Sequence, residues 1–304
     1  MTHGTLGVVI GVGNHKGGVS KSSSATYLAA ALGERQLKVL VVDCDPSGGA
    51  THIFGLDGKS FAGTFELVVR EAPDPVSIAV SDGLPRNVSI IPGRTELAEL
   101  RQYVSKFKDL RSLLKRGLDV ARKHYDVIVL DTPPNAQDLL TVSTYLNADW
   151  FLLAAFADML SIHGLNEGLA DIADARRNGN PDLEVLGIVV NAVDARTKTW
   201  HEVNQLIQVN FPGRAFSTVV SRAQAVSDAT KGGKTLFQIL KFRRHPVVLQ
   251  YRLLAAEIHA RITNREAFLK GGVDAIPKLE ALGAYDAAPE PEAPDETANV
   301  AVNA

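Results

Sequence analysis

The sequence predicts an α/β protein built on a doubly wound, mostly parallel sheet with helices on both faces. Three observations carry that expectation. Short continuous runs rich in Val, Ile and Leu alternate with longer stretches of helical spacing, and such runs suit strands buried on both faces. Most segments between the runs are long enough to hold a crossover helix. The most polar motifs come directly after apolar runs, at the strand ends where open parallel sheets hold their ligands.

The elements follow in order. Leu6–Val12 reads as a buried strand, and Ser22–Gly33 as a helix with Ala25, Leu28, Ala29 and Leu32 at helical spacing. Lys38–Val42 is a second strand, running into Asp43. Val88–Ile91 is a third, stopped by Pro92-Gly93. Thr95–Lys123 predicts a long helical region, and Asp126–Leu130 a strand ending at Asp131. Trp150–Phe156, Val185–Val190 and Phe216–Val220 predict further strands, and helical pattern resumes from Pro246 to about Leu269. Residues 1–270 read as one domain with a basic C-terminal helical region. Residues 271–304, rich in Ala, Pro, Glu and Asp without helical or strand period, read as a disordered acidic tail.

Composition narrows the classes. Hydrophobic residues make up 45% of the 304, enough for a sizeable core. The formal charge of −2 hides an asymmetry: the tail holds seven acids against Lys278, which leaves the body at about +4. Cys44 is the single cysteine, which excludes an intrachain disulfide and a cysteine-based metal cluster within one chain, and fits a reducing cytoplasm. The N-terminal MTHGTLGVVIGVG has no basic segment before its apolar run, unlike a secretory signal. No run reaches the roughly 18 apolar residues of a membrane span.

The first strand leads into Gly13-Asn14-His15-Lys16-Gly17-Gly18-Val19-Ser20-Lys21-Ser22-Ser23 and then a helix. A strand, a glycine-containing loop, Lys-Ser and a helix is the layout of a phosphate-binding loop. There, backbone N–H groups at the helix start point at phosphates, a lysine reaches the β/γ-phosphates and a hydroxyl ligates Mg²⁺. His15 and Ser20 stand where the general pattern has glycines, so the pattern alone leaves open an ordinary βα turn. Two further motifs end strands in carboxylates. VVDCDPSGGATHIFG carries Asp43 and Asp45, the latter 24 residues after Lys21, and DVIVLDTPP ends in Asp131. An apolar strand finishing in aspartate suits a carboxylate that orients the water shell of Mg²⁺ beside phosphates.

Lys16-Gly17-Gly18-Val19-Ser20-Lys21-Ser22 resembles the deviant Walker A motif, K-G-G-x-G-K-[ST], of the ParA/MinD ATPases, most closely the ParA/Soj-type partition ATPases. The Asp43–Thr51 segment resembles the family's V-D-x-D-P-Q-G-N-A-T, with Ser47 and Gly49 in place of Gln and Asn. Asp-x-Pro-Pro after Asp131 is how its Walker B ends. Pro181–Ile188 resembles the family's entry to the strand that precedes its adenine-contacting asparagine, here Asn191. Val220-Ser221-Arg222 is similar to its I-P-R stretch near the base. Asp158 and Gly164-Leu165 loosely match a stretch that packs at the family's dimer interface.

The resemblance, which covers about residues 6 to 265, implies ATP and Mg²⁺ as cofactors. It implies nucleotide contacts from Lys16 through Ser23 (Lys16, Gly17, Gly18, Val19, Ser20, Lys21, Ser22, Ser23) and from Asn191, Ser221 and Arg222. Ser22 is the implied metal ligand, with Asp131 acting through water. Lys16, Lys21 and Asp45 are the implied catalytic residues: Lys16 reaches the partner's ATP in a sandwich dimer, and Asp45 helps to position the attacking water. The implied activity is ATP hydrolysis, slow without a partner, with Ser20 bearing on the rate.

Between Lys231 and Arg265 lie eight basic residues and one acid, Glu257. The candidates for DNA contact are Lys231, Lys234, Lys241, Arg243, Arg244 and Arg252. Such a strip is either a solvated face or a surface for sequence-independent phosphate binding, and the resemblance favours the second. It implies a homodimer that binds non-specific DNA and is released when a ParB-like partner stimulates hydrolysis. That places the protein in the cytoplasm on the nucleoid, in plasmid or chromosome partition. A MinD-like membrane-surface ATPase, or a positioning ATPase for a protein cargo, is the alternative. The acidic, proline-bearing end of the chain lacks the basic amphipathic pattern of a membrane anchor, so no stable membrane association is expected.

Overall fold

The computed structural model describes residues 7–14, 18–70 and 74–278. Lys16, Gly17 and the tail beyond Lys278 lie outside them. Six strands, β1 (Val8–Gly13), β2 (Val39–Asp43), β3 (Val88–Ile91), β4 (Val127–Asp131), β5 (Trp150–Phe156) and β6 (Glu184–Asn191), form one sheet in the order β3-β2-β4-β1-β5-β6. Every pairing between these strands is parallel. The helices are α1 (Lys21–Glu34), α2 (Gly49–Ile53), α3 (Thr64–Val69), α4 (Pro75–Ile78), α5 (Ser112–Ala121), α6 (Leu139–Asn147), α7 (Met159–Asn178), α8 (Lys198–Asn210), α9 (Gln224–Lys231), α10 (Pro246–Thr263) and α11 (Arg265–Gly271).

The strands are apolar throughout because both faces are covered. Side chains alternate along a strand: Ile10 and Val12, Val39 and Val41, and Trp150, Leu152 and Ala154 enter a core beneath α1 and α10. Val9, Leu40 and Val42, and Phe151, Leu153 and Ala155 enter a second core beneath α5, α7 and α8. The doubly wound parallel fold expected from the sequence is the fold observed.

Three expected elements differ. Thr95–Lys123 is not one helix: Thr95–Lys106 forms tighter 3-10 turns, and α5 begins only at Ser112. Within the first part Leu97 and Leu100 are the buried residues, a spacing of three that a 3-10 turn satisfies as well as an α-helix. Phe216–Val220 does not form a regular strand. It runs beside β6 with isolated bridges, because side chains of α10 take N–H groups that a ladder would use. Glu257 accepts from the N–H groups of Ser217 and Thr218, each at 3.0 Å, and Gln250 from that of Ser221 at 2.9 Å. The last helical stretch breaks at Asn264, between α10 and α11.

Candidate functional site

Strand order positions the site. β1 lies between β4 and β5, and β4 lies beside β2, so the carboxyl ends of β1, β2 and β4 converge. In register, Asp43 sits opposite Asp131, and Asp131 opposite Val12. The loop after β1 leads into α1, whose first residues are Lys21, Ser22 and Ser23. Its turn needs two left-handed residues: Gly18 at φ 77° and Ser20 at φ 61°. Glycine meets that need without a Cβ clash, whereas serine does so at a cost of about 1 kcal/mol. Ser20 stands at the N-cap of α1 without a side-chain capping bond, while its carbonyl accepts from the Ser24 N–H at 2.8 Å and the Ser24 Oγ at 2.9 Å.

Lys21 is 7% exposed. Burial lowers its pKa, and the nearby carboxylates of Asp131 and then Asp45 oppose that shift. The structure therefore gathers Lys21, Asp45 and Asp131 into one electrostatic unit. Asp43 and Asp131 are both fully buried, but their environments differ. Asp43 accepts from the Thr51 Oγ1 at 2.7 Å, the Thr51 N–H at 2.9 Å and the Asp45 N–H at 3.2 Å. Its pKa is nevertheless pushed up to about 6, chiefly by burial. Asp131 has two buried carboxylate oxygens that accept no hydrogen bond of ordinary length among the described residues. Burial first, then the charge of Asp43, holds its pKa well above the usual range, although the Ser22 hydroxyl is near enough to favour the anion somewhat.

Gly49, the first residue of α2, faces this pair. A Cβ there would come within 2.4 Å of the Ser22 Oγ and 4.0 Å of the Asp131 Oδ2. The replacement of the family's asparagine by glycine thus keeps space beside the hydroxyl and the carboxylate. A hydroxyl and a carboxylate with unmet acceptor capacity are hard oxygen donors, the set that suits Mg²⁺ held through few protein groups plus water and phosphate. No group of three or more His, Cys, Asp or Glu side chains gathered for a metal occurs among the described residues, so a cage made wholly of such side chains is not the arrangement here.

Beside α1 opens a cavity of about 370 Å³ lined by Ser20, Ser23, Tyr27, Asn191, Ser221 and Arg222, among others. Residues separated by some 200 positions in sequence thus meet at one pocket. Asn191 is buried, donating to the Ser24 Oγ at 2.9 Å and accepting from the Tyr251 hydroxyl at 3.4 Å. Ser221, where relatives carry proline, is clasped by Gln250, which donates to its Oγ at 2.7 Å. Larger cavities of about 570 and 450 Å³ lie elsewhere, between α3 and α5 and beside the carboxyl end of α1, and neither touches these carboxylates.

Sequence reading missed Thr51, Thr64 and Gly93. Thr51 fixes Asp43 and also accepts from the Gly93 N–H at 2.9 Å, and Thr64 Oγ1 donates to the Asp43 carbonyl at 2.7 Å. A Cβ on Gly93 would approach the Asp43 carboxyl carbon to 2.7 Å. The signal for Thr51 was in the motif itself, whose last residue is threonine; Thr64 and Gly93 carried none. Asp158, matched to the dimer stretch, caps α7 by accepting from the Ser161 N–H at 2.8 Å. Exposed Met159 and Leu160 follow it.

The basic strip divides. Lys234, Lys241, Arg243 and Arg244 are exposed, and Lys231 lies 3.9 Å from Asp228. Arg252, by contrast, is half-buried in a two-pronged pair with Glu34 at 2.7 and 3.0 Å, which occupies much of the fork that a phosphate contact needs. Arg261 is buried, donating to the carbonyls of Leu186, Arg214 and Ala215 and lying 3.9 Å over the Phe216 ring. Arg265 donates to the carbonyls of Asp149 and Asp182 and lies over Trp150.

A six-stranded parallel sheet with a lysine-headed helix after β1 and aspartates ending β2 and β4 defines the class: a P-loop nucleotidase fold. A family model described as an AAA domain matches residues 7–185. The chain is 31% identical over 256 residues to the chromosome-partitioning ATPase Soj of Thermus thermophilus, covering 83% of this chain and 96% of that protein. It is 28% identical over 234 residues to the sporulation initiation inhibitor protein Soj of Bacillus subtilis, covering 76% of this chain and 90% of that one. The chain belongs to the ParA/MinD-type partition ATPase family. Among solved structures, cobyrinic acid a,c-diamide synthase from Mycobacterium smegmatis, with bound ADP and magnesium, superposes with a TM-score of 0.72 at 23% identity over 86% of this chain and 97% of that one. That likeness is one of fold.

Proposed function

We propose that this chain binds and hydrolyses MgATP at the carboxyl ends of β1, β2 and β4, and that the nucleotide holds two copies together on non-specific DNA in a partition system. The observation that carries the nucleotide reading is the convergence of Lys21, Ser22, Asp45 and Asp131 beside the cavity lined by Asn191, Ser221 and Arg222. In this reading the N–H groups at the start of α1 and the Lys21 ammonium bind the β/γ-phosphates, and the cavity takes the base. Ser22, and Asp131 through water, would hold Mg²⁺, whose charge would offset that of the phosphates. Asp45, half-exposed in the loop after β2 and close to Lys21, holds the attacking water. Asp43, tied down by Thr51, sets the loop that carries Asp45. Lys16 completes the site across a dimer from the second copy. Hydrolysis is slow until a ParB-like partner acts, and Ser20 contributes to that slowness through its strained turn.

DNA binding rests on exposed Lys234, Lys241, Arg243 and Arg244, with Lys231 at the edge; Arg252 supports them from below. Two copies joined by ATP double the number of phosphate contacts and raise affinity through avidity. The curated relatives' roles in chromosome partition support this reading over a membrane-surface one. No described helix is long and apolar enough to cross a membrane. The test is binding to random-sequence duplex DNA with ATP, with ADP and without nucleotide, measured against salt. Binding that requires ATP and falls steeply with salt is expected; no ATP-dependent binding at low salt contradicts it.

A further inference from the structure

A cleft of about 450 Å³ lies where the carboxyl end of α1, the segment before β3 and the segment between α9 and α10 meet. Its rim carries Arg86, Lys234 and Arg243, each exposed and from two distant parts of the chain. Among the described residues none of the three has an ion-pair partner. The acid that lines the cleft is Glu34, and Arg252 already takes both of its oxygens. The same Arg252 donates to the Arg243 carbonyl at 2.9 Å, which fixes the backbone that bears one rim cation. Gln238 donates to the Gly83 carbonyl at 2.7 Å and ties the Arg86 segment to the Lys234 segment. Gly33 permits the close approach, since a Cβ there would meet the Arg86 carbonyl at 2.3 Å. The cleft therefore joins a neutralised floor to three free cations on a braced frame.

We infer that this cleft is a phosphate-backbone subsite, and that Arg86 is a DNA-contacting residue remote in sequence from the C-terminal basic strip. The inference rests on the DNA reading above and extends its surface to a part of the chain that no motif marked. DNA is favoured over a lone anion because exposed Arg244 and Lys241 lie within two residues of Arg243, which extends the positive charge past the cleft. Arg86 offers a planar fork suited to two phosphate oxygens.

The test is equilibrium binding of a random-sequence duplex in the presence of a non-hydrolysable ATP analogue, across a salt series, for wild type, Arg86→Ala, Arg86→Lys and Arg116→Ala. Arg116 is an exposed arginine on the rim of the separate cavity between α3 and α5. Arg86→Ala is expected to weaken binding about three- to tenfold and to lower the salt slope by about one. Arg86→Lys, which keeps the charge and loses the fork, falls between wild type and Arg86→Ala; Arg116→Ala leaves the affinity unchanged, and nucleotide affinity is the same in all four. Competition by poly-glutamate as effective as by DNA of equal charge would reassign the cleft to acidic peptide. Wild-type affinity and slope in Arg86→Ala, with weakening in Lys241→Ala/Arg244→Ala, overturns the subsite and leaves the DNA reading intact. Absence of DNA binding by the wild type overturns both.

Discussion

Two regions of this molecule bury charge, and they do so in opposite ways. At the α10–β6 edge, Glu257 accepts three hydrogen bonds from Ser217 and Thr218, and Arg261 spends its terminal nitrogens on three carbonyls while stacking on Phe216. At the carboxyl ends of β2 and β4, Asp131 is equally buried, but what faces it is the Ser22 hydroxyl and the charges of Lys21 and Asp43 rather than a set of backbone groups. A buried charge costs several kcal/mol unless it is paired or hydrogen-bonded. The first region meets most of that cost with structure, leaving the buried Arg261 Nε without a hydrogen bond among the described residues. The second leaves Asp131 with its pKa held well above the usual range by burial and by the charge of Asp43. Charge in the first region is fixed to the backbone by hydrogen bonds, and charge in the second faces other charge.

The contrast can be broken most sharply by exchanging the roles. Lys21→Ala is expected to remove MgATP binding by at least about 100-fold, an effect of roughly 3 kcal/mol, with little change in nucleotide-free stability. Equilibrium nucleotide binding together with urea unfolding checks both halves. Arg261→Ala should do the reverse. It leaves carbonyls of Leu186, Arg214 and Ala215 and the Glu257 carboxylate without their cation, so stability falls by about 3 kcal/mol while the folded fraction still binds nucleotide. A stable Arg261→Ala protein would show that this edge does not depend on its buried charge.

A subtler effect comes from pH. Burial raises Asp43 from 3.8 to about 6, so the folded state holds that proton more tightly than the unfolded state. Its contribution to nucleotide-free stability is fully present below 3.8 and is lost as pH rises through about 6. Asp43→Asn should flatten the fall in the unfolding midpoint between about pH 4 and 6 relative to wild type; an unchanged slope would contradict this. The smallest effect is expected at Ser20. Replacement by glycine removes the left-handed strain at φ 61°, partly offset by the added freedom of the unfolded chain, for a net gain of under about 1 kcal/mol. A thermal melt reads the stability, and the ATP turnover rate reads whether the strain also slows hydrolysis.

The same contrast explains what the sequence disclosed. Local apolar runs located β3 and β5 to the residue, because a strand buried on both faces advertises itself without help from distant parts. Lys21, Asp45 and Asp131 were legible because the site follows strand ends. Phe216–Val220 misled for the complementary reason: its composition suits a strand, but the N–H groups of Ser217 and Thr218 go to Glu257, some 40 residues away. Arg252 and Arg261 read as members of a basic strip, and only packing shows Glu34 beside one and carbonyls around the other. Arg86 was invisible as a neighbour of Lys234, since they meet through a cleft between elements nearly 150 positions apart.

The role proposed for Asp131, fully buried at the end of β4, is to hold a metal-nucleotide complex through water. Titration of ATP with and without Mg²⁺ into wild type and Asp131→Asn, with nucleotide-free stability measured in parallel, tests it most directly. Mg²⁺-strengthened ATP binding is expected in wild type, and loss of that strengthening in an Asp131→Asn variant that still folds without nucleotide. Equal dependence on Mg²⁺ in both proteins would contradict it.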